Sequence, residues 1–117
     1  MKIERELMRG AGPVAVLKLL ERKEMYGYEL VEALSQRSSG LLAMGQSTLY
    51  PMLYNLEAKG LIKSRQEQAP TGRTRRYYSL TGKGKQRLAK DARQWQIAVH
   101  ALAALGITPG TAEGAMG

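Results

Sequence analysis

The sequence predicts a mainly α-helical domain that carries one small β-hairpin and ends in a long C-terminal helix. Three observations lead to this fold class. Apolar residues recur at helical spacing in several segments, of which residues 45–62 are the clearest. The period changes to that of strands over residues 61–80, where a proline- and glycine-bearing turn separates two short runs. Helical spacing then returns and continues to about residue 105.

Length and composition limit what the chain can be. Its 117 residues suit one domain, and 44% hydrophobic residues are enough for a core, although there is no Phe. The absence of cysteine excludes disulfides and thiolate chemistry. No apolar run reaches the ~20 residues that span a bilayer, and the charged start does not form a signal peptide. We therefore expect a cytoplasmic protein with no membrane partner.

The first third of the chain predicts two helices after a short N-terminal segment. Residues 1–9 indicate a short amphipathic helix or a docked arm, which the glycines from Gly10 to Gly12 interrupt. Pro13 then opens a helix over about residues 13–23, whose valines and leucines make it the most buried element. After a turn, a second helix over about residues 26–37 ends at a Ser-Ser-Gly sequence.

The third predicted helix begins after Gly45, its expected N-cap, and Gly60 is the left-handed residue that ends it. The inward stripe consists of Leu49, Met52, Leu53 and Leu56. The opposite face has no charged residue before Lys59, whereas a solvated helix face is usually charged. Hydroxyls, phenols and an amide suit close approach to bases and phosphates. The candidate DNA contacts here are Ser47, Thr48, Tyr50, Tyr54 and Asn55.

Three of these side chains also have a structural alternative. Tyr50 could pack against the second helix, Thr48 could only cap the third, and Asn55 could point to solvent. Pro51 lies inside the predicted helix, where a proline costs about 3 kcal/mol. A helix shaped for stability alone would avoid it.

Residues 61–68 and 75–80 predict the two strands of the hairpin, joined by residues 69–74. The hairpin belongs to a segment, residues 59–93, that holds eleven lysines and arginines but only two acids. A confined cationic patch beside an uncharged helix face favours nucleic acid, and the alternative is a solvated hairpin. Because this segment has few acidic residues to pair with, we expect its cations to be free to bind phosphates. The five candidate phosphate contacts are Lys63, Arg65, Arg73, Arg75 and Arg76. Arg73, at the tip, is expected to reach a minor groove or its phosphates, whereas Tyr77 and Tyr78 are expected in the hairpin core.

Thr81 is the predicted N-cap of the last helix, which Gly106 and Pro109 terminate. We expect a soft start because Gly82 and Gly84 lie in its first turn. Residues at spacings of 4, 3, 4 and 3 form an apolar seam: Leu88, Ala92, Trp95, Val99 and Leu102. A helix at the end of a small domain has little core left to cover, so this seam predicts a homodimer.

The order helix, helix, helix, hairpin, helix is that of a winged helix-turn-helix, whose third helix enters the major groove beside the hairpin. It divides the chain into a DNA-binding domain (residues 1–80), a dimerisation helix (81–106) and a disordered tail (107–117). The alternative is a small α+β domain whose hairpin only covers a core.

Four segments resemble the PadR-like family of winged-helix transcriptional regulators, in particular its short branch with a single C-terminal helix. They are Tyr26 to Leu30, Ser47 to Pro51, Leu56 to Ile62 and Arg75 to Thr81, in the order and spacing of the family. The resemblance implies that the last helix dimerises. It also implies that its tryptophan, Trp95, lines a pore at the dimer interface and stacks on a small flat aromatic ligand. The alternative is a tryptophan of the dimer core without a ligand.

No Ser/His/Asp or phosphate-loop pattern is present, so we expect no catalytic residue and no enzyme. The lone His100 has no partner for a metal, and no cofactor is expected. The sequence therefore predicts a homodimeric repressor of a pseudo-palindromic operator in double-stranded DNA, released by a small hydrophobic aromatic ligand. The alternatives are a nucleoid- or RNA-associated module without sequence choice, and an adaptor whose basic hairpin contacts an acidic protein.

Overall fold

The structure, a computed structural model, describes residues 3–109, so most of the predicted tail lies outside the described residues. It contains four helices and three strands: α1 (Arg5–Arg22), β1 (Met25–Tyr26), α2 (Gly27–Arg37), α3 (Gln46–Ala58), β2 (Ile62–Gln68), β3 (Thr74–Leu80) and α4 (Gly82–Ala104). The predicted class, mainly α with a hairpin, is confirmed. Within residues 3–109, no helix is long and apolar enough to cross a membrane.

The predicted break at the start of α1 is wrong. One continuous helix of 18 residues runs through Gly10, Gly12 and Pro13. The glycines occupy places where α1 approaches its neighbours. A Cβ on buried Gly12 would lie 2.7 Å from the Met52 Cε atom of α3, and one on Gly10 would lie 3.5 Å from the ring of Trp95. Packing against α3 and α4 therefore outweighs the poor helix propensity of these residues.

The sheet has the order β1-β3-β2, with antiparallel pairing throughout. The predicted hairpin is present, but the sequence analysis missed β1, which was assigned to a turn. Met25 pairs with Tyr78 and Tyr26 pairs with Tyr77, so β3 is the central strand. The short segment 41–44, between α2 and α3, contains no strand.

The core lies between the helices and one face of the sheet. Its fully buried side chains come from α1, α2, α3 and β2: Val16, Leu17, Leu30, Leu49, Leu53 and Ile62. The inward stripe predicted for α3 is thus confirmed, with Leu56 buried and Met52 half-buried against the same cluster. Burying each leucine of this stripe contributes roughly 1.5–3 kcal/mol, and together they fix the rotation of α3 about its axis.

The start of α4 is held by hydrogen bonds and close packing. The predicted N-cap is confirmed, because the Thr81 Oγ1 atom accepts from the Gly84 amide at 2.9 Å and lies 2.7 Å from the Gly60 carbonyl, to which it donates. Gly84, a weak point of the helix by propensity, is buried. A Cβ there would lie 2.0 Å from the Leu61 carbonyl oxygen, so only glycine lets α4 approach the hairpin this closely.

Replacement of the two glycines in the first turn of α4 by alanine should change the free energy of unfolding differently. Gly84→Ala should lower the free energy of unfolding by about 1–3 kcal/mol or more, because the backbone of Leu61 cannot yield to the new methyl group. Gly82→Ala, the matched control, meets nothing within 4 Å and should be neutral or stabilising by up to about 1 kcal/mol. Urea unfolding at one fixed protein concentration measures the free energy of unfolding of both variants. Equal changes in the two variants would contradict the claim that only glycine fits at position 84.

Candidate nucleic-acid interface

The outer face of α3 projects from the domain as an exposed, uncharged ridge. Gly45 caps the helix through its backbone, and its carbonyl accepts from the Thr48 and Leu49 amides at 3.1 and 3.0 Å. The burial of the leucine stripe forces the opposite side chains outward. The exposed members of this ridge, hereafter the α3 ridge, are Ser47, Thr48, Pro51, Tyr54, Asn55 and Ala58. Tyr54 is 73% exposed, so the predicted contacts on this face are accessible.

Tyr50 lies on the flank of the α3 ridge and has a structural contact. A Cβ on Gly27 would lie 2.3 Å from its hydroxyl oxygen, so the phenol packs over the first residue of α2. The ring remains 43% exposed. Tyr50 therefore packs against the second helix on one side, as the predicted alternative had it, and is open to solvent on the other.

Pro51 lies inside α3, as predicted, and does not break the helix. Proline has no amide hydrogen, so the Ser47 carbonyl receives no bond from the residue four positions on. The first turn of α3 therefore lacks one of its regular backbone hydrogen bonds.

A chain of hydrogen bonds joins α3 to the hairpin. The Ser64 hydroxyl of β2 donates to the Glu57 carboxylate of α3 at 2.7 Å, and the Arg76 guanidinium of β3 donates to the Ser64 hydroxyl at 3.0 Å. The contacts span both strands and the last turn of the helix. They fix the angle of the hairpin relative to the α3 ridge and hold Arg76 on the side of the sheet that faces α3.

The other face of the sheet carries a row of stacked charged and aromatic side chains. The Arg65 guanidinium lies 4.9 Å from the centre of the Tyr77 ring, and that of Arg75 lies 4.5 Å from the centre of Tyr26. The two rings meet edge to face, with centroids 5.4 Å apart. Such contacts are each worth roughly 0.5–1 kcal/mol at exposed sites, and they restrain both arginines. Tyr78 is in the core as predicted, whereas Tyr77 lies on this outer face.

The expectation that the hairpin cations lack acidic partners is wrong for Arg65. Its Nε atom donates to Glu24 at 3.1 Å, its Nη2 atom donates to the second oxygen of Glu24, and its Nη1 atom donates to Glu67 at 2.6 Å. These hydrogen bonds lower the pKa of Glu24 and raise that of Arg65. Two carboxylates therefore offset the charge of this arginine, which remains a candidate contact with less positive charge to offer.

Two exposed cations lie at opposite ends of the hairpin, Lys63 near the start of β2 and Arg73 in the turn that joins the strands. Within residues 3–109, Lys63 and Arg73 form no ion pair, and both are exposed. A turn closed by the Ala69 amide donating to the Arg73 carbonyl at 2.7 Å positions the tip, with Gly72 at a φ of 89°. The left-handed backbone of Gly72 is the reason for a glycine directly before Arg73.

The predicted seam of α4 is divided between two environments. Leu88 is only 5% exposed and belongs to the core of its own chain, so its place in a dimer seam is not supported. The later members, Ala92, Trp95, Val99 and Leu102, are exposed. Helical spacing alone could not separate a stripe that covers the chain's own core from one that is left open.

Trp95 lies between two concave surfaces. A cleft of about 790 Å³ is enclosed by α1, α3 and α4, and a smaller hollow of about 420 Å³ lies along α4 next to His100. Both are lined by Trp95. Within the described residues, no cluster of three or more His, Cys, Asp or Glu side chains could hold a metal ion.

The sequence analysis missed Glu24, Glu57 and Ser64, which hold the interface in place. Glu24 and Arg65 are 41 positions apart in the chain, and their contact depends on the strand β1 that the pattern did not reveal. Ser64 and Glu57 lie on different elements whose relative angle no local pattern specifies.

The fold and its exposed surface define a winged-helix transcriptional regulator. The chain belongs to the PadR-like family: the family model described as "Transcriptional regulator PadR-like family" matches residues 16–90. This family consists of transcriptional regulators and is not a family of enzymes.

Three similar proteins illustrate the match. The transcriptional regulator Rv3488 of Mycobacterium tuberculosis is 36% identical over 89 residues, which cover 76% of this chain and 79% of the relative. The crystal structure of a PadR family transcriptional regulator from Eggerthella lenta is 32% identical, with a TM-score of 0.77 and 88% of each chain covered. Bacillus subtilis PadR, whose crystal structure is a complex with operator DNA, is 29% identical with a TM-score of 0.64, covering 68% of this chain and 45% of that one.

The pair of Glu24 and Arg65 should make stability depend on pH in the acidic range. The folded-state pKa of Glu24 is lowered, so its contribution is present above the unfolded value of about 4.3 and is lost as the pH falls through the folded value. Glu24→Gln should therefore lower the melting temperature near neutral pH, and this deficit should shrink below about pH 4.

The deficit of Arg65→Gln should also shrink in this range, but the part that comes from its contact with the Tyr77 ring should remain. The double variant should lose no more than the larger single loss if Glu24 acts only through Arg65. Thermal melts followed by circular dichroism between neutral and acidic pH provide the measurement. A deficit of Glu24→Gln that stays constant with pH would contradict the assignment.

Proposed function

We propose that this protein is a homodimeric, sequence-specific DNA-binding repressor that acts by occupying a pseudo-palindromic operator. The observation that carries the proposal is the exposed, uncharged α3 ridge beside a cationic hairpin whose angle is set by Glu57, Ser64 and Arg76. In this proposal residues 1–80 bind DNA, α4 dimerises, and the first turns of α4 also complete the core through Leu88.

The α3 ridge supplies sequence choice, and the hairpin supplies affinity. Asn55 carries an amide that can pair bidentately with adenine, and the hydroxyls of Ser47 and Thr48 can donate to phosphate oxygens. The absence of charge on the ridge allows its backbone to lie close to the base edges. Lys63 and Arg73 displace counterions from phosphates, so binding should weaken as salt rises.

Dimerisation is supported by the open part of the α4 seam. Trp95, Val99 and Leu102 are 38%, 44% and 38% exposed, and apolar surface of this extent on one helix favours burial against a partner. A two-fold symmetric dimer presents two α3 ridges to one duplex. Helix-turn-helix dimers place them about one turn of DNA apart, roughly 34 Å, which is why the operator should be pseudo-palindromic.

Release by a small hydrophobic aromatic ligand at the dimer interface is supported by the position of Trp95. The indole lines both concave surfaces next to the seam, and the larger, at about 790 Å³, is within the roughly 300–1,000 Å³ typical of ligand sites. A ligand held between the last helices changes the separation of the α3 ridges only to the extent that it binds one separation better.

Selection of sites from random duplex DNA, followed by binding measurements at fixed salt, tests the function. The selected site should bind more tightly than random duplex, and Asn55→Ala should reduce this preference by roughly 5- to 150-fold for each half-site, because each half-site loses one bidentate base contact. Gln36→Ala, which removes an exposed amide at the end of α2, is the matched control and should leave it unchanged. Equal affinity of the wild type for selected and random DNA would contradict the proposal and support a non-specific module.

Removal of the indole tests the ligand part of the proposal. Trp95→Ala should weaken binding of a flat aromatic compound roughly tenfold or more, because a stacking surface and its buried area are lost, while the dimer persists. Ile97→Ala removes an exposed side chain of the same helix that lines neither concave surface, so it should not change ligand affinity. Fluorescence titration and sedimentation on both variants give the comparison, and an unaltered response in Trp95→Ala would leave the tryptophan with a structural role only.

A further inference from the structure

The α3 ridge has two flanks, and the hairpin occupies only one of them. On the hairpin side, Glu57 of α3 contacts Ser64 of β2. On the opposite side, Thr48, Asn55 and Lys59 line the wall of the cleft between α1, α3 and α4. The other residues that line this cleft are therefore neighbours of the surface proposed to read DNA.

Positive charge is concentrated on this second flank. The cleft is lined by Arg5 and Arg9 of α1, by Lys59 at the end of α3 and by Arg87 of α4. Arg87 donates to both carboxylate oxygens of Asp91, at 3.0 and 3.2 Å, and its charge is offset. The other three are exposed and form no ion pair within residues 3–109. Arg5, Arg9 and Lys59 are hereafter the second cationic strip.

The first turns of α1 hold their position because they are packed on other elements. Met8, between the two arginines, is buried in the core, and Gly12 lies directly against Met52 of α3. The Ile3 amide donates to the Leu41 carbonyl at 3.2 Å, which attaches the segment before α1 to the loop that precedes α3. Arg5 and Arg9 are four residues apart, so their side chains leave the same side of the helix, one turn apart.

The dimensions of the major groove indicate which phosphates this strip could contact. An α-helix with its side chains is about 10–12 Å across and the groove is about 12 Å wide, so a helix in the groove has the phosphates of one strand on each side. Cations on a single flank reach one strand only. Cations on both flanks reach both.

We propose that Arg5, Arg9 and Lys59 form a second phosphate-binding site, which contacts the DNA strand across the groove from the strand contacted by the hairpin. This inference rests on the proposed function, because it needs the α3 ridge to lie in the groove. It assigns a DNA contact to α1, a helix outside the helix-turn-helix pair. The second cationic strip binds phosphates beside the second flank of the α3 ridge, and it adds affinity without adding sequence choice.

The chain offers a matched control on the same helix. Lys18 and Arg22 are also exposed cations four residues apart on α1, at its far end, and Lys18 pairs with Glu21. R5Q/R9Q and K18Q/R22Q therefore remove the same charge at the same spacing from one helix. Any effect of net charge alone is common to both double variants.

The decisive measurement is the slope of log binding constant against log salt concentration. Each phosphate contact contributes about 0.9 to this slope, and the proposed dimer carries two copies of each arginine, so R5Q/R9Q should make the slope shallower by roughly 3.6 relative to K18Q/R22Q, on selected and random duplex alike. Lys59→Gln, which leaves α1 intact, should make the slope shallower by roughly 1.8 for the two subunits, and this variant tests the proposal if the double variant does not fold. A slope of R5Q/R9Q or Lys59→Gln equal to that of K18Q/R22Q would overturn the proposal.

Ethylation interference assigns the strand. Within each half-site, phosphates whose ethylation weakens wild-type binding should fall on both sides of the groove. In that half-site R5Q/R9Q should lose those on one strand and Arg73→Ala those on the other, and the two strands exchange roles in the second half-site. Loss of the same phosphates by both variants would overturn the assignment. A wild type without any preferred site would defeat the proposed function, whereas the slope on random duplex would still decide the contribution of the strip.

Discussion

The burial of the leucine stripe of α3 is the interaction on which the functional surface depends. Leu49 and Leu53 are completely enclosed and Leu56 nearly so, and a helix anchored along one side has a single rotation about its axis. The face that remains outside is thereby determined, residue by residue. Tyr54 and Asn55 are exposed because the leucines beside them are not, so stability and recognition are two results of one packing arrangement.

The hairpin is restrained on both faces, which orders it before the proposed binding to DNA. On the face towards α3, the hydrogen bonds from Arg76 through Ser64 to Glu57 set its angle. On the outer face, Arg65 joins Tyr77 to Glu24 at the beginning of the sheet. Association costs less conformational entropy when a binding element is already ordered, so contacts that touch no DNA can still contribute to affinity.

Local pattern predicted the elements whose structure depends on local chemistry. The spacing of the apolar residues in α3, the turn before Arg73 and the cap at Thr81 are each encoded within a few neighbouring residues, and each is present in the structure. These features follow from side-chain periodicity, left-handed glycine and the preference of a hydroxyl for a free amide. The uncharged face of α3 could be read in the same way, because it is the complement of the buried stripe.

The errors have a common origin in contacts between distant parts of the chain. The sequence predicts a helix break at Gly12, but close packing against Met52 explains why a glycine lies inside α1. It also predicts no acidic partner for Arg65, but β1 places Glu24 beside this arginine. Leu88 followed the same spacing as Trp95, yet one covers the chain's own core and the other does not. A periodic stripe specifies that a face is apolar and leaves open which surface covers it.

The proline in α3 has a consequence for how the recognition surface can change. A side-chain contact on this helix is lost or altered whenever its residue is substituted. The carbonyl oxygen of Ser47, freed by the missing amide of Pro51, belongs to the main chain and persists whatever residue stands at position 47. Only a substitution at position 51 would restore an amide that can bond to this oxygen.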